Sequence, residues 1–414
     1  MTTNGTVSVR MFNVGFGDAF LVTVRRLGVV WRMLVDCGVH NQGRARPIRD
    51  VVEAIVEACT DEPGSTPRID VVVATHRHAD HISGFALDEW DDVEVGEVWV
   101  PFVEDPDDPD GIKIRTAHAT AAALLDGLVE RRTENLAAGG WPPKLSAARA
   151  LAANSLSNQD SMDRLLGLNG QGFAKAHKVR YLPSTDAAAN VVAGPPGISV
   201  HVLGPSRDPE QLKRMDPPAN AGWLQLAADA DAYLEIDELF PPIFLADEAS
   251  LPPGLEQARH SLQLHKLTND AGLLQAAAIL DHAVNNTSVF LVLDVEGTRL
   301  LFPGDAQQGA WEHVLGDDDN RDLLTDCVFY KIAHHGSHNA TPRAFVESVW
   351  RDGNYAMLPW GLVKRWADTI PKKELLAALH EHAHTVVRID EQQEVPGVVT
   401  FDGDLWSEIT FETQ

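Results

Sequence analysis

Residues 74–84, Ala-Thr-His-Arg-His-Ala-Asp-His-Ile-Ser-Gly, set His76, His78, Asp80 and His81 within six positions. Imidazole nitrogen and carboxylate oxygen are the donors that hold zinc, or manganese where oxygen predominates. On a strand-to-helix turn, the pattern H-x-H-x-D-H lets His76 and His78 point to one metal while Asp80 and His81 point to a second. A polar loop that happens to be rich in histidine is the bland alternative. The largely apolar run from Ile69 to Val73 just before the cluster argues for a built site. Metal-capable side chains recur later, as Asp305 in Phe-Pro-Gly-Asp and as His334 and His335 in Ala-His-His-Gly-Ser-His-Asn-Ala-Thr-Pro.

Other residues carry two readings each. Lys331, on the strand that feeds the double histidine, reads as a solvated strand charge, a phosphate contact or a support behind the ligands. Ser337 and Asn339 either donate hydrogen bonds to a substrate or shape their loop. His380, His382 and His384 mimic metal spacing but end a helix, where the dipole suits them. His201, alone within a strand, reads as core or surface rather than as a ligand.

The elements that must position these residues follow from periodicity. Residues 6–36 are rich in β-branched and aromatic residues broken by turns, which predicts an antiparallel meander. Ile-Arg-Asp-Val-Val-Glu-Ala-Ile-Val-Glu-Ala-Cys has helical spacing, and Arg-Ile-Asp-Val-Val-Val is a short buried strand. The histidine cluster then sits at the C-terminal end of a strand, where α/β folds place their sites. A hairpin is predicted around Glu296 and Gly297, its second strand ending in Asp305. Residues 1–111 and 284–414 read as two halves of one domain, with a helical insertion at 112–180, core strands at 181–205 and a second insertion at 206–283.

Length and composition set the limits. At 414 residues, with 44% hydrophobic and 23% charged residues, the chain can bury a large core without staples. Its three cysteines lack C-x-x-C spacing, which points to a reducing compartment. Neither a leader nor an apolar run of membrane-spanning length stands out, so a cytoplasmic location without membrane contact is expected. A formal charge of −26 opposes whole-surface binding to nucleic acid and leaves an anionic substrate only a local foothold.

Taken with the later Phe-Pro-Gly-Asp and double-histidine segments, the metal motif resembles the metallo-β-lactamase superfamily, whose fold is an αββα sandwich holding one or two metals at its strand ends. Asp36 in Val-Asp-Cys-Gly matches the family's early aspartate, which orients a ligand histidine. Asp305 matches the aspartate that bridges the two metals. Asp18, in Gly-Phe-Gly-Asp, resembles a family turn and either supports the site or fixes the turn. The double histidine, together with Asn-Val-Gly-Phe-Gly-Asp-Ala-Phe, Asn-Asn-Thr-Ser-Val-Phe-Leu-Val-Leu and Leu-Leu-Phe-Pro-Gly-Asp, is similar to the ComEC-like branch, here without a membrane channel. The resemblance implies that one of the pair completes the second metal site and the other faces the substrate. His335 is the expected ligand and His334 the substrate-facing residue, on the ground that neighbours at a strand end point to opposite faces. Two departures stand out: Gly204-Pro205 where many members have a mid-chain histidine ligand, and Ile370-Pro371 where relatives carry His-Pro. The first site would then hold only His76, His78 and Asp305, leaving an open position.

The resemblance implies a hydrolase with two divalent ions, zinc or else manganese, which acidify a water between them. Asp80 and His334 are the expected catalytic residues beside the ligands His76, His78, Asp80, His81, Asp305 and His335. Phosphodiester cleavage, by a nuclease or phosphodiesterase, ranks first among substrates. Peptidase or lactonase activity on the same core comes next, and then a scaffold or effector role without catalysis. The two insertions are expected to cover one side of the cleft and to offer a surface to a protein partner.

Overall fold

A computed structural model describes residues 5–40, 43–134, 148, 158–218, 221–223, 277, 283–363, 369–391, 395 and 398–413. The chain divides into two compact units, one of Met1–Phe102, Asn158–Leu224 and Asn285–Gln414, the other of Val103–Ser157 and Gln225–Val284.

The larger unit is mixed α/β with two mixed sheets. Its first sheet takes β1 (Thr6–Phe12), β2 (Ala19–Arg26), β3 (Val29–Cys37), β4 (Arg68–Val73), β5 (Glu94–Pro101) and β6 (Lys178–Leu182). The second takes β7 (Val191–Ala193), β8 (Ile198–Gly204), β9 (Phe290–Val295), β10 (Thr298–Phe302), β11 (Cys327–Lys331), β12 (Tyr355–Leu358) and β13 (Thr385–Arg388). Strands β14 (Val399–Asp402) and β15 (Trp406–Glu412) return to the first sheet beside β1. In each sheet an antiparallel part leads into a parallel one: β3 to β6 in the first, β10 to β13 in the second.

Side-chain alternation explains the layering. One apolar cluster draws Val9, Phe20, Met33 and Val73 from the first sheet together with Val200, Leu291, Leu293, Phe302 and Phe329 from the second. The Phe20 and Phe302 rings meet edge-on at 6.0 Å. Successive residues of a strand face opposite ways, so Phe290, Val292 and Leu301 join a different cluster with Ala310, Trp311 and Val314 of the helix Gln308–Leu315. Leu21, Leu34 and Val72 likewise pack with Val51, Val52 and Ile55 of the helix Ile48–Ala58. Strands β4 and β9 read as near-continuous apolar runs because both of their faces are covered.

The predicted meander at 6–36 is the antiparallel β1–β2–β3, and the predicted hairpin joins β9 to β10 through Glu296 and Gly297, both at positive φ. Strand β10 ends at Phe302, so Asp305 sits on the turn beyond it. Within 112–180, the helix Gln159–Leu166 and strand β6 belong to the larger unit, with β6 paired to β5. In the smaller unit the helix Pro109–Glu134 starts where the Asp108 carboxylate accepts the N–H groups of Asp110 and Gly111. Much of both insertions lies outside the described residues, and with it their expected covering role. Among the described residues no helix is long and apolar enough to cross a membrane.

Leu293 is fully buried in the cluster shared by both sheets. Leu293→Ala is expected to lower stability by about 2–5 kcal/mol in urea unfolding. A loss below about 1 kcal/mol would contradict a closely packed interior at that position.

Candidate metal centre

Two pairs of parallel strands, one pair in each sheet, deliver the site. Strand β3 ends near Asp36, β4 leads into Thr75–His81, β10 leads to Asp305 and β11 to His334 and His335. The turns are held by their backbones. Asp18 N–H donates to Asp80 O at 2.9 Å, and Gly38 N–H donates to Asp18 O at 2.9 Å. A Cβ at Gly38 would lie 2.4 Å from Ala79 O, so only glycine lets these two turns touch.

Within this frame the nitrogens and oxygens gather. His76 Nε2 and His78 Nδ1 are 3.0 Å apart. His81 Nε2 lies 3.1 Å from Asp305 Oδ2, and His335 Nε2 lies 3.7 Å from Asp80 Oδ2 and 4.0 Å from Asp305 Oδ2. His76, His81 and Asp305 form one group that can hold a metal ion. The other ring nitrogens are engaged from behind: His81 Nδ1 with Asp36 Oδ2 at 2.7 Å, His335 Nδ1 with Pro359 O at 3.1 Å, and His76 Nδ1 with Ser288 Oγ at 3.2 Å. Such partners fix the ring orientations and turn each Nε2 toward the cluster.

Orphaned atoms test whether the residues fit a cation. Nε2 of His335 and Oδ1 of Asp80 are buried without a hydrogen bond, and His81 Nε2 has only the ion-pair approach of Asp305 Oδ2 at 3.1 Å. Buried polar atoms left so are costly, and a cation shared among them removes the penalty. The residues fit a metal. A second grouping, Asp18 with His81 and His335, is also close. It meets through the Nδ1 atoms at 3.6 and 3.8 Å, and Asp36 and Pro359 O already occupy those. Asp18 therefore stands behind the two imidazoles rather than among the donors.

Electrostatics follow the same plan. Burial is the largest influence on Asp80 and Asp305 and works upward. His335, His81 and His78 around Asp80, and His81, Lys331 and His334 around Asp305, outweigh it and hold both carboxyls well below their ordinary range. Burial lowers His81, but Asp305, Asp18 and Asp36 overcome it and leave the imidazole well above its usual value. His76 is pushed well down by burial and by His81 and His78. For Asp36, burial prevails over His81 and raises the carboxyl.

The remaining expected residues take these places. Asp36 Oδ1 and Oδ2 also accept from Thr75 N–H and Thr75 Oγ1, both at 2.7 Å. Lys331 is neither solvated nor turned to substrate. Its buried ammonium donates to Asp18 Oδ2 at 2.5 Å and to Gly304 O and Asp305 Oδ1 at 3.0 Å each. Burial works to lower it, yet Asp18 and Asp305 raise it above the ordinary lysine value. His334 and His335 lie beyond the end of β11, both in the left-handed region at φ 44° and 51°, so strand alternation does not apply to them. His335 is wholly buried, whereas His334 is half-buried, with its Nε2 3.4 Å from Asn285 Nδ2. Ser337 Oγ donates to Asn339 Oδ1, and Asn339 Nδ2 turns to Asp216, which is loop shaping. His201 sits in β8 beside Ser199. His380 is exposed, His382 bonds Asp352 and His384 stacks on Trp350 at 3.8 Å, and these three form no metal-capable group among the described residues.

Four further participants lie outside the expected set: Thr75, Ser288, Asn285 and Phe16, whose ring packs 4.0 Å from that of His335. Thr75 and Ser288 carry a signal, being polar residues at the ends of buried apolar strands. The carbonyl of Pro359 carries none, since every residue has one.

No protein-family model matches the chain, and no curated protein is significantly similar to it in sequence. The donor set thus stands on its geometry, and two measurements check it. His335→Ala is expected to lower bound metal, while His334→Ala keeps it; equal loss in both would remove the distinction between them. Metal must also displace the proton that the raised His81 carries, so zinc affinity, read against a chromophoric chelator, is expected to rise with pH between 6 and 8. The slope is roughly tenfold per pH unit for one proton displaced. An affinity independent of pH would contradict His81 as a ligand.

Proposed function

We propose that the chain is a binuclear metal-dependent hydrolase of the metallo-β-lactamase superfamily, in its ComEC-like branch, and that it cleaves phosphodiester bonds. One observation carries the reading. His76, His81 and His335 gather about Asp305, with His78 and Asp80 beside them and the inward nitrogen of His335 lacking a hydrogen bond. An αββα sandwich is supported by the apolar cluster common to both sheets and by the helices packed on their other faces.

His76, His78 and Asp305 would hold one ion, and Asp80, His81, Asp305 and His335 the other. Bound there, a divalent pair, zinc or manganese, would supply Lewis acidity and a nucleophilic water at neutral pH. The chain's own residues do the rest. Asp36 and Pro359 O fix the rings of His81 and His335, and Ser288 fixes that of His76. His334, less buried than the other histidines of the site, faces the substrate and hands a proton to the leaving oxygen. Three protein donors at the first ion leave room for an anionic oxygen, which favours a phosphodiester. The strongly acidic chain confines that contact to the cleft.

Zinc- or manganese-loaded protein is expected to hydrolyse bis-p-nitrophenyl phosphate or single-stranded DNA in preference to a casein peptide or a lactone. Asp305→Ala should reduce turnover roughly a thousandfold or more while leaving the circular dichroism spectrum unchanged. Turnover of the peptide or lactone alone would replace the substrate class. Two bound metals without any turnover would favour a scaffold.

A further inference from the structure

Lys331 is only 2% exposed, and its three N–H bonds are all engaged, with Asp18 Oδ2, Gly304 O and Asp305 Oδ1. An ammonium has three donors, so none is left for a substrate. Asp305 Oδ1 receives a second donor, the backbone N–H of His334 at 3.1 Å. Its lone pairs are thereby taken, and only Oδ2 remains to face His81 Nε2 at 3.1 Å and His335 Nε2 at 4.0 Å. Through Asp18 the same ammonium reaches the backs of both imidazoles, 3.6 Å from His81 Nδ1 and 3.8 Å from His335 Nδ1.

We propose that Lys331 is a positioning residue that commits Asp305 to a single ligand oxygen and, by way of Asp18, steadies the two histidines that share that oxygen's ion. The inference rests on the metal-hydrolase reading and concerns how its central carboxylate is used. A carboxylate free at both oxygens can close onto one cation and fill its coordination sphere. Held by Lys331 and the His334 N–H, Asp305 offers Oδ2 alone and leaves positions open for water and substrate. The ammonium also draws electron density from Asp305, making it a weaker donor and any cation it binds more electrophilic.

The test uses the full chain loaded with cobalt(II), as wild type, as Lys331→Met and as Lys331→Met/Asp18→Asn. Methionine keeps the length without the charge, and Asp18→Asn removes the carboxylate that would otherwise be buried unpaired. Bound cobalt per chain, visible absorption and melting temperature are read first. Turnover of whichever phosphodiester the wild type cleaves is read second. The double variant is expected to melt near the wild-type temperature and to hold two cobalt ions. Its visible absorptivity should fall by about half as Asp305 closes on one ion and raises its coordination number. Its kcat should drop about 30- to 100-fold with KM nearly unchanged. A wild-type spectrum and kcat in the double variant would overturn the inference and leave Lys331 as a counter-ion for Asp18. Cobalt lost in step with a lowered melting temperature would overturn it in favour of a purely structural role. Wild-type protein that takes up no cobalt would defeat the hydrolase reading and the inference with it.

Discussion

Four carboxylates, Asp18, Asp36, Asp80 and Asp305, are buried within one cluster, and the fold tolerates them only if positive charge lies beside them. In the protein alone that charge comes from the Lys331 ammonium and from a proton on His81, which its acidic neighbours hold above its usual value. Asp36 is raised by burial and relieved by Thr75 and His81, while Asp305 divides its two oxygens between lysine and histidine. A pair of divalent ions would take the place of the proton.

The scaffold makes such a concentration of charge possible by keeping it at strand ends. Apolar layers fill both faces of β4 and β10, and the polar residues begin where the strands stop. Backbone contacts between turns supply the precision, with Asp18 N–H on Asp80 O and Gly38 pressed against Ala79. Two successive histidines at positive φ add local strain at the same point, as functional loops often do.

Much of this is legible in the sequence. The spacing of His76, His78, Asp80 and His81 after an apolar strand announces a metal-capable turn, and the meander and the β9–β10 hairpin are evident from turn residues and alternation. Lys331 is neither the solvated charge nor the phosphate contact but stands behind Asp305, and strand period holds the reason: it shares a face with Phe329, which points into the cluster between the sheets. The double histidine lies past the strand end at which alternation would orient it, and the left-handed turn that aims both rings leaves no mark in residue type. Interactions with backbone carbonyls, such as His335 with Pro359 O, are beyond sequence reasoning because they depend on tertiary approach alone.

The most direct measurement is anomalous diffraction from crystals of the zinc- or manganese-loaded protein. The account predicts two peaks on either side of Asp305 Oδ2, one among His76 and His78 and the other among Asp80, His81 and His335, with Lys331 still on Oδ1. A single peak at Asp18, or none at all after loading, would contradict it.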